Sequence, residues 1–273
     1  MKKKFLVSIE CFMPSSGGIV AMHKLCNDII KLGREAYVTS RESHHKLNAP
    51  FIGGREMNAD EWVVVYPEIV HGNPFKFKHV ARWILNTPGK CAGVGKGYYD
   101  KKLDTDLVFK YSPFFEYEDR VDGHMRCTFI DYDLFKNTNQ TRDIESMFFI
   151  KKGGITTKQH PDNSVDFSKF DNNWIEAAQM LNRCKYFYCY DNECFWVTLA
   201  ALCGCITIVI PNTKTPSDLW KEYFPFNKYG IAFGLDEKQW AIDTIDKVTD
   251  HCLDVQELDL KMVANFIEMC DKL

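Results

Sequence analysis

Four short stretches of this sequence bring together residue types that can bind or move a charged group. The first is KYFYCYDNECFWVTLAALCGCITIVIP, residues 185–211. It reads as an apolar strand, a polar turn, a helix over 193–202, a glycine and a second apolar strand. Tyr190, Asp191, Asn192 and Glu193 fall where the strand gives way to the helix. Open α/β sheets bind ligands at the carboxyl ends of their strands, and a helix start at that place favours phosphate. The second stretch is FFIKKGG, residues 148–154, a strand that runs into Lys151, Lys152 and Gly153. Two cations and a residue without a side chain suit a diphosphate and the charge it develops as a leaving group. The same residues also fit a solvated basic turn.

The third stretch is Ser15, Ser16, Gly17 and Gly18, placed between a first strand and a first helix. Backbone there can approach an anion closely, which makes Gly17 and Gly18 candidate donor-binding residues, although the spacing is not that of the dinucleotide-binding fingerprint, and an ordinary strand-to-helix turn reads the same way. The fourth is YPEIVHGNP, residues 66–74. Glu68 follows a strand and, with a tuned pKa, can act as a general base; His71 can do the same or bind substrate. Both also fit a surface loop. Asp131 and Asp133 form a D-x-D pair able to help chelate a divalent ion, but Asp104 and Asp106 repeat the pattern, which shows how easily it arises by chance. Cys184, Cys189, Cys194, Cys203 and Cys205 read as buried thiols rather than zinc ligands. GVGKG at 93–97 reads as a loop, since no strand leads into it. Phe195 or Trp196 could stack on a base, and both fit a core equally.

These residues need a scaffold. Residues 5–9 form an expected strand, 19–32 a helix with Gly33 as its stop, and 36–39 a second strand, which makes a βαβ opening. Strands are expected at 62–66, 107–110 and 127–130. Residues 77–85 read as a helix that overlaps a short strand at 83–86. A second series starts with a strand at 147–150 and a helix at 171–182. It continues through the 185–211 unit, a helix at 217–223 and a strand at 231–233. Helices at 237–250 and 255–273 close the chain. NTNQTRD breaks the apolar pattern within 137–145 and marks a boundary. The expectation is an α/β chain of two Rossmann-like βαβ domains facing a cleft, 1–142 and 143–273, with the last helix packing back on the first.

Composition sets limits. The chain has 273 residues, 45% of them hydrophobic, and a net charge of −3, so it can build a core and has no charge bias toward nucleic acid or membrane. Neither a signal-peptide core nor a membrane-spanning run is read, and eleven cysteines without an export signal suggest a reducing, cytoplasmic setting.

The 15–18 loop, the Leu32-Gly33 helix end, LAALCG at 199–204 and the phrases YPEIVHGNP, ARWILNTPG and KYGIAFG resemble GT-B glycosyltransferases. They are most similar to retaining, family 4-like enzymes of microbial polysaccharide synthesis. The resemblance implies a nucleotide-sugar donor held mainly by the second domain, a glycan acceptor held mainly by the first, and no required metal or other cofactor. A homodimer is compatible with it. In that family two glutamates eight residues apart touch the donor sugar and the ribose; the matching positions here are Asp191, which keeps a carboxylate, and Leu199, which cannot hydrogen-bond. The rival readings are a metal-dependent GT-A-type transferase using Asp131 and Asp133, and a catalytically idle nucleotide-sugar-binding subunit.

Overall fold

The computed structural model describes residues 2–89, 106–150, 157–212 and 214–273. It separates into two compact units, Met1–Phe129 with Gln256–Leu273, and Ile130–Val255. Residues 130–142, which a boundary at 142 would assign to the first domain, belong to the second unit. Phe135 packs edge-on against Trp174 and Trp196, and Thr138 binds the Asn182 carboxamide through its N–H and its hydroxyl, both at 2.7 Å.

The first unit is built on a parallel sheet in the order β2-β1-β3-β4-β5-β6. Its strands are β1 (Lys4–Val7), β2 (Ala36–Val38), β3 (Trp62–Pro67), β4 (His79–Ile84), β5 (Leu107–Lys110) and β6 (Gly123–His124). Helix α1 (Gly17–Lys31) joins β1 to β2, and Gly33, at a φ of 78°, ends it in the left-handed region where a side chain is costly. One sheet face carries Phe5, Val7, Val63, Val65, Trp83 and Phe109 against α1. The C-terminal part of α6 (Val248–Cys270) adds Val263, Phe266, Ile267 and Cys270 to the same core. Leu6, Val64, Tyr66 and Val80 alternate onto the opposite face, covered by Ile52, Met57, Val70 and Phe77 from connecting loops.

Residues 77–85 therefore do not form a helix. All six residues of HVARWI are buried as β4, between β3 and β5, because a central parallel strand is covered on both faces and reads as a continuous run. The charged residue in this run, Arg82, is paired with Asp106 at 2.7 Å, with both side chains nearly inaccessible. The expected strand at 127–130 is not present either; the last strand of the sheet is the two-residue β6.

The second unit is a parallel sheet in the order β8-β7-β9-β10-β11. Its strands are β7 (Ile144–Phe149), β8 (Val165–Asp166), β9 (Cys184–Cys189), β10 (Ile206–Val209) and β11 (Ile231–Phe233). Helices α2 (Trp174–Arg183), α3 (Trp196–Leu202), α4 (Ser217–Tyr223) and α5 (Lys238–Thr244) connect or follow them. Asn173 caps α2 by accepting from the N–H groups of Ile175 and Glu176. Phe167, fully buried, meets Phe149, Phe187 and Trp196 edge-on beneath one face. Between the last two helices the break lies at Ile245–Lys247, a 3-10 turn, so α6 starts earlier than the sequence pattern suggests.

Arg142 fastens the ends of two helices in this unit. Its guanidinium donates to the carbonyl oxygens of Leu181 (3.3 Å), Cys203 (2.8 Å) and Cys184. Helix ends leave such carbonyls unpaired, and a cation there also suits the helix dipole. Gly204 has a φ of 84°, and a Cβ on it would collide with this guanidinium. The glycine of LAALCG is thus required twice, by backbone conformation and by Arg142. Arg142→Ala is expected to lower the unfolding free energy by roughly 2–4 kcal/mol in urea denaturation, as several buried carbonyls lose a charged donor at once. A loss under about 0.5 kcal/mol would show that water replaces it.

Candidate functional site

Both sheets share one topological property. The first strand of each lies inside, with the second strand on one side and the third on the other. Ligands of open parallel sheets settle in the crevice beyond the carboxyl ends of those strands, where the order reverses. In the first unit that crevice lies after β1 and β3; in the second it lies after β7 and β9.

In the first unit the crevice is flanked by Gly17, Gly18, Glu68 and His71. Gly17 and Gly18 are the first two residues of α1, not part of the preceding loop. Ser16 caps the helix, its Oγ 3.5 Å from the Ile19 N–H. A Cβ on Gly17 would meet nothing within 4 Å, and one on Gly18 would touch only Leu85 at 3.6 Å. Packing does not demand glycine at either place, and the space in front of Gly17 is open. Glu68 is 6% exposed. Its Oε2 accepts from the Leu85 N–H at 3.0 Å and its own N–H donates to the Trp83 carbonyl at 3.1 Å, so it ties the ends of β3 and β4 together. His71 is half-buried on a loop held from below: Arg82 donates to the carbonyls of Val70 (3.1 Å) and Gly72, and the Tyr66 hydroxyl donates to Asn73 at 3.0 Å.

In the second unit the crevice is flanked by Tyr190, Asp191, Asn192 and Glu193. Lys151, Lys152 and Gly153, the basic turn after β7, lie outside the described residues, as do 93–97 and Asp104. Asp191 and Asn192 are nearly inaccessible, at 4% and 3%. Asp191 Oδ1 accepts from the Glu193 N–H at 2.9 Å, and the Asn192 carbonyl accepts from Trp220 Nε1 at 2.9 Å. Helix α3 starts at Trp196, three residues later than the sequence suggests, and is seven residues long and buried throughout. Several N–H groups around this start are bonded within the chain. Cys194 donates to the Asp191 carbonyl (3.2 Å), Val197 to Cys194 (3.4 Å) and Thr198 to Phe195 (3.1 Å). The anion-binding helix start expected at Asn192 and Glu193 is therefore a self-bonded turn, because Asp191 folds the chain back before the helix begins. Leu199 is buried inside α3 at 3% exposure.

Tyr190 turns away from the turn that follows it. Its hydroxyl accepts from the N–H groups of Gln159 (2.8 Å) and His160 (3.2 Å) and lies 2.7 Å from His160 Nδ1. The His160 ring stacks on Phe148 at 4.1 Å with 5° between planes. Nothing in QHPDN marks this histidine; its partners lie 12 and 30 positions away, and only the sheet brings them together.

Asp131 Oδ1 accepts from the N–H groups of Asp133 (3.1 Å) and Leu134 (3.3 Å), so this carboxylate shapes a turn, while Asp133 is exposed. Asp106 of the other D-x-D serves Arg82. No group of three or more His, Cys, Asp or Glu side chains able to hold a metal occurs among the described residues. Of the described cysteines only Cys11 is exposed. Burial pushes the Cys203 thiol up to about 12 and those of Cys189 and Cys205 well above the usual range, which suits packing rather than nucleophilic attack. Among the described residues no helix is long and apolar enough to cross a membrane.

No protein-family model and no curated protein matches the chain. Among solved structures it is similar to a glycosyltransferase from Rickettsia africae, with 11% identity over 97% of this chain and 94% of that one and a TM-score of 0.45. It is also similar to the calicheamicin glycosyltransferase CalG4, with 10% identity, coverage of 100% and 98%, and a TM-score of 0.41. A third is an alpha-glucosyltransferase solved with UDP and a mismatched DNA 13-mer, with 11% identity, coverage of 96% and 94%, and a TM-score of 0.44. At these scores the likenesses carry no weight of their own, and the fold rests on the strand order.

The turn after β9 has a direct test. Asp191→Asn keeps an oxygen for the Glu193 N–H and is expected to leave the melting temperature within about 2 °C of the parent, whereas Asp191→Ala is expected to cost about 1–3 kcal/mol by leaving that buried donor unpaired. Equal losses in both variants would show that the charge, not the acceptor, holds the turn.

Proposed function

We propose that the protein transfers a sugar from a nucleotide-sugar donor to a glycan acceptor. The observation that carries this reading is the recurrence of one crevice. Each unit is a parallel sheet with an interior first strand; Glu68 and His71 follow β3, and Tyr190, Asp191, Asn192 and Glu193 follow β9, at the carboxyl ends of those sheets. Two such sheets offer one site for an activated donor and one for the group that attacks it. The resemblance of the LAALCG and YPEIVHGNP segments to GT-B enzymes supports sugar transfer among the reactions such a pair could run.

Glycosyl transfer needs a leaving diphosphate neutralised and an acceptor hydroxyl oriented. In this reading Lys151, Lys152 and Gly153 receive the diphosphate beyond β7. Asp191 faces the donor sugar, with Asn192, Glu193 and Tyr190 shaping the wall around it. Gly17 and Gly18 leave open space beside the first crevice, and Glu68 or His71 orients the acceptor. No metal is assigned a role. A second reading, an idle nucleotide-sugar-binding subunit, is favoured by Leu199, whose burial leaves the usual ribose contact without a polar side chain.

Release of nucleoside diphosphate from a panel of nucleotide sugars, with and without glycan acceptors, tests the proposal. Acceptor-dependent turnover is expected, unchanged by a chelator. Tight donor binding with no turnover on any acceptor or water would favour the idle subunit, and loss of activity on chelation would favour a metal-dependent transferase. The double change Lys151→Ala with Lys152→Ala is expected to weaken nucleoside-diphosphate binding roughly 10- to 100-fold in calorimetry, the scale of one charge-assisted contact or two. Unchanged affinity would remove both lysines from the site.

A further inference from the structure

We propose that His160 is a donor-side binding residue, which gives a hydrogen bond from Nε2–H to the anionic tail of a nucleoside diphosphate at the β7–β9 crevice. The inference rests on the nucleotide-sugar reading and adds a contact to it.

The imidazole spans the two strands that define the crevice. It stacks on Phe148 of β7 at 4.1 Å and meets the hydroxyl of Tyr190, the residue after β9, at 2.7 Å. The hydrogen-bonding capacity of that hydroxyl fixes the tautomer. A tyrosine oxygen has one hydrogen to give and two lone pairs to share. The N–H groups of Gln159 and His160 take the lone pairs, at 2.8 and 3.2 Å. The hydroxyl hydrogen must then go to Nδ1, and the ring proton sits on Nε2. Burial, reinforced by Lys158 and opposed by Asp162, lowers the pKa of the ring, so it is neutral at pH 7. Nε2 has no partner among the described residues, and the ring is half-buried.

The result is an uncharged donor locked by a stack on one side and a hydrogen bond on the other. Such preorganisation favours anion recognition without burying a cation. The self-bonded turn before α3 strengthens the case. The N–H groups of Glu193, Cys194, Val197 and Thr198 are already bonded within the chain, so a side-chain donor adds to what this turn can offer a diphosphate beyond β9. His160 stands on the β7–β8 connection, beside that place.

The competing role is packing alone, and the two roles rank substitutions in opposite order. His160→Phe keeps a ring to stack on Phe148 but has no donor. His160→Gln loses the ring but presents an amide N–H near the position of Nε2. UDP, GDP, ADP and dTDP are titrated separately into the parent and both variants by calorimetry, with melting temperatures as a folding control. For whichever diphosphate the parent binds, His160→Gln is expected to stay within about 3-fold and His160→Phe to weaken binding roughly 10-fold or more. Equal affinities, equal losses, or a Phe variant that binds better than the Gln variant would overturn the role of His160 and leave the nucleotide-sugar reading standing. A parent that binds none of the four would overturn that reading and this inference together.

Discussion

In a parallel sheet every strand points the same way, so each connection must return along a face. When the first strand lies inside, its own connection and the one leading to the third strand leave on opposite faces, and a gap opens where they part. Both sheets obey this constraint. In the first unit α1 covers the Phe5–Val7 face while Ile52 and Met57, from the β2–β3 connection, cover the Leu6–Val64 face. In the second, Phe167 lies under Phe149 and Phe187 while His160 lies on Phe148, a residue of opposite pleat. The crevices, and the residues beside them, are consequences of strand order rather than of any one motif.

The economy of the chain shows in what covers the sheets. Several connections are loops where a doubly wound sheet commonly has helices, and loops carry polar backbone that must be satisfied. Buried or half-buried side chains do this locally. Arg82 serves the carbonyls of Val70 and Gly72 under the Glu68–His71 loop while paired with Asp106. Arg142 serves three carbonyls at the ends of α2 and β9's start and at the end of α3. Tyr190 serves the N–H groups of Gln159 and His160. Each is a long side chain with several donors or a hydroxyl with full capacity, the types best able to replace a missing hydrogen-bond ladder. This is also why polar residues inside apolar runs, such as the arginine of HVARWI, are not errors of pattern.

Much of the scaffold was legible because local signals agreed. The β1-α1-β2 opening has a short apolar run, a helical period and a glycine stop in the right order, and the β9-α3-β10 unit has an aromatic run and a β-branched run on either side of LAALCG. The rest failed where tertiary context overrides local preference. HVARWI contains good helix formers, and only burial on both faces makes it a strand. The start of α3 moved because Asp191 and Cys194 close a turn that competes with the helix. Residues 127–130 look like a strand by composition but extend past an edge strand that ends at His124. At the site, the sequence pointed to Asp191 and Glu68 by their position after strands, while their hydrogen bonds to nearby backbone became visible only in three dimensions. His160 had no local signal, since its identity depends on Phe148 and Tyr190.

The central claim is that an activated donor is gripped by its diphosphate at the carboxyl ends of β7 and β9. Amide hydrogen exchange, followed by mass spectrometry with and without a saturating nucleoside diphosphate, tests it most directly. The account predicts slowed exchange in peptides covering residues 157–160 and 190–195, with the amides of β1 and β3 unchanged. Protection confined to the first unit, or spread without relation to either crevice, would contradict it.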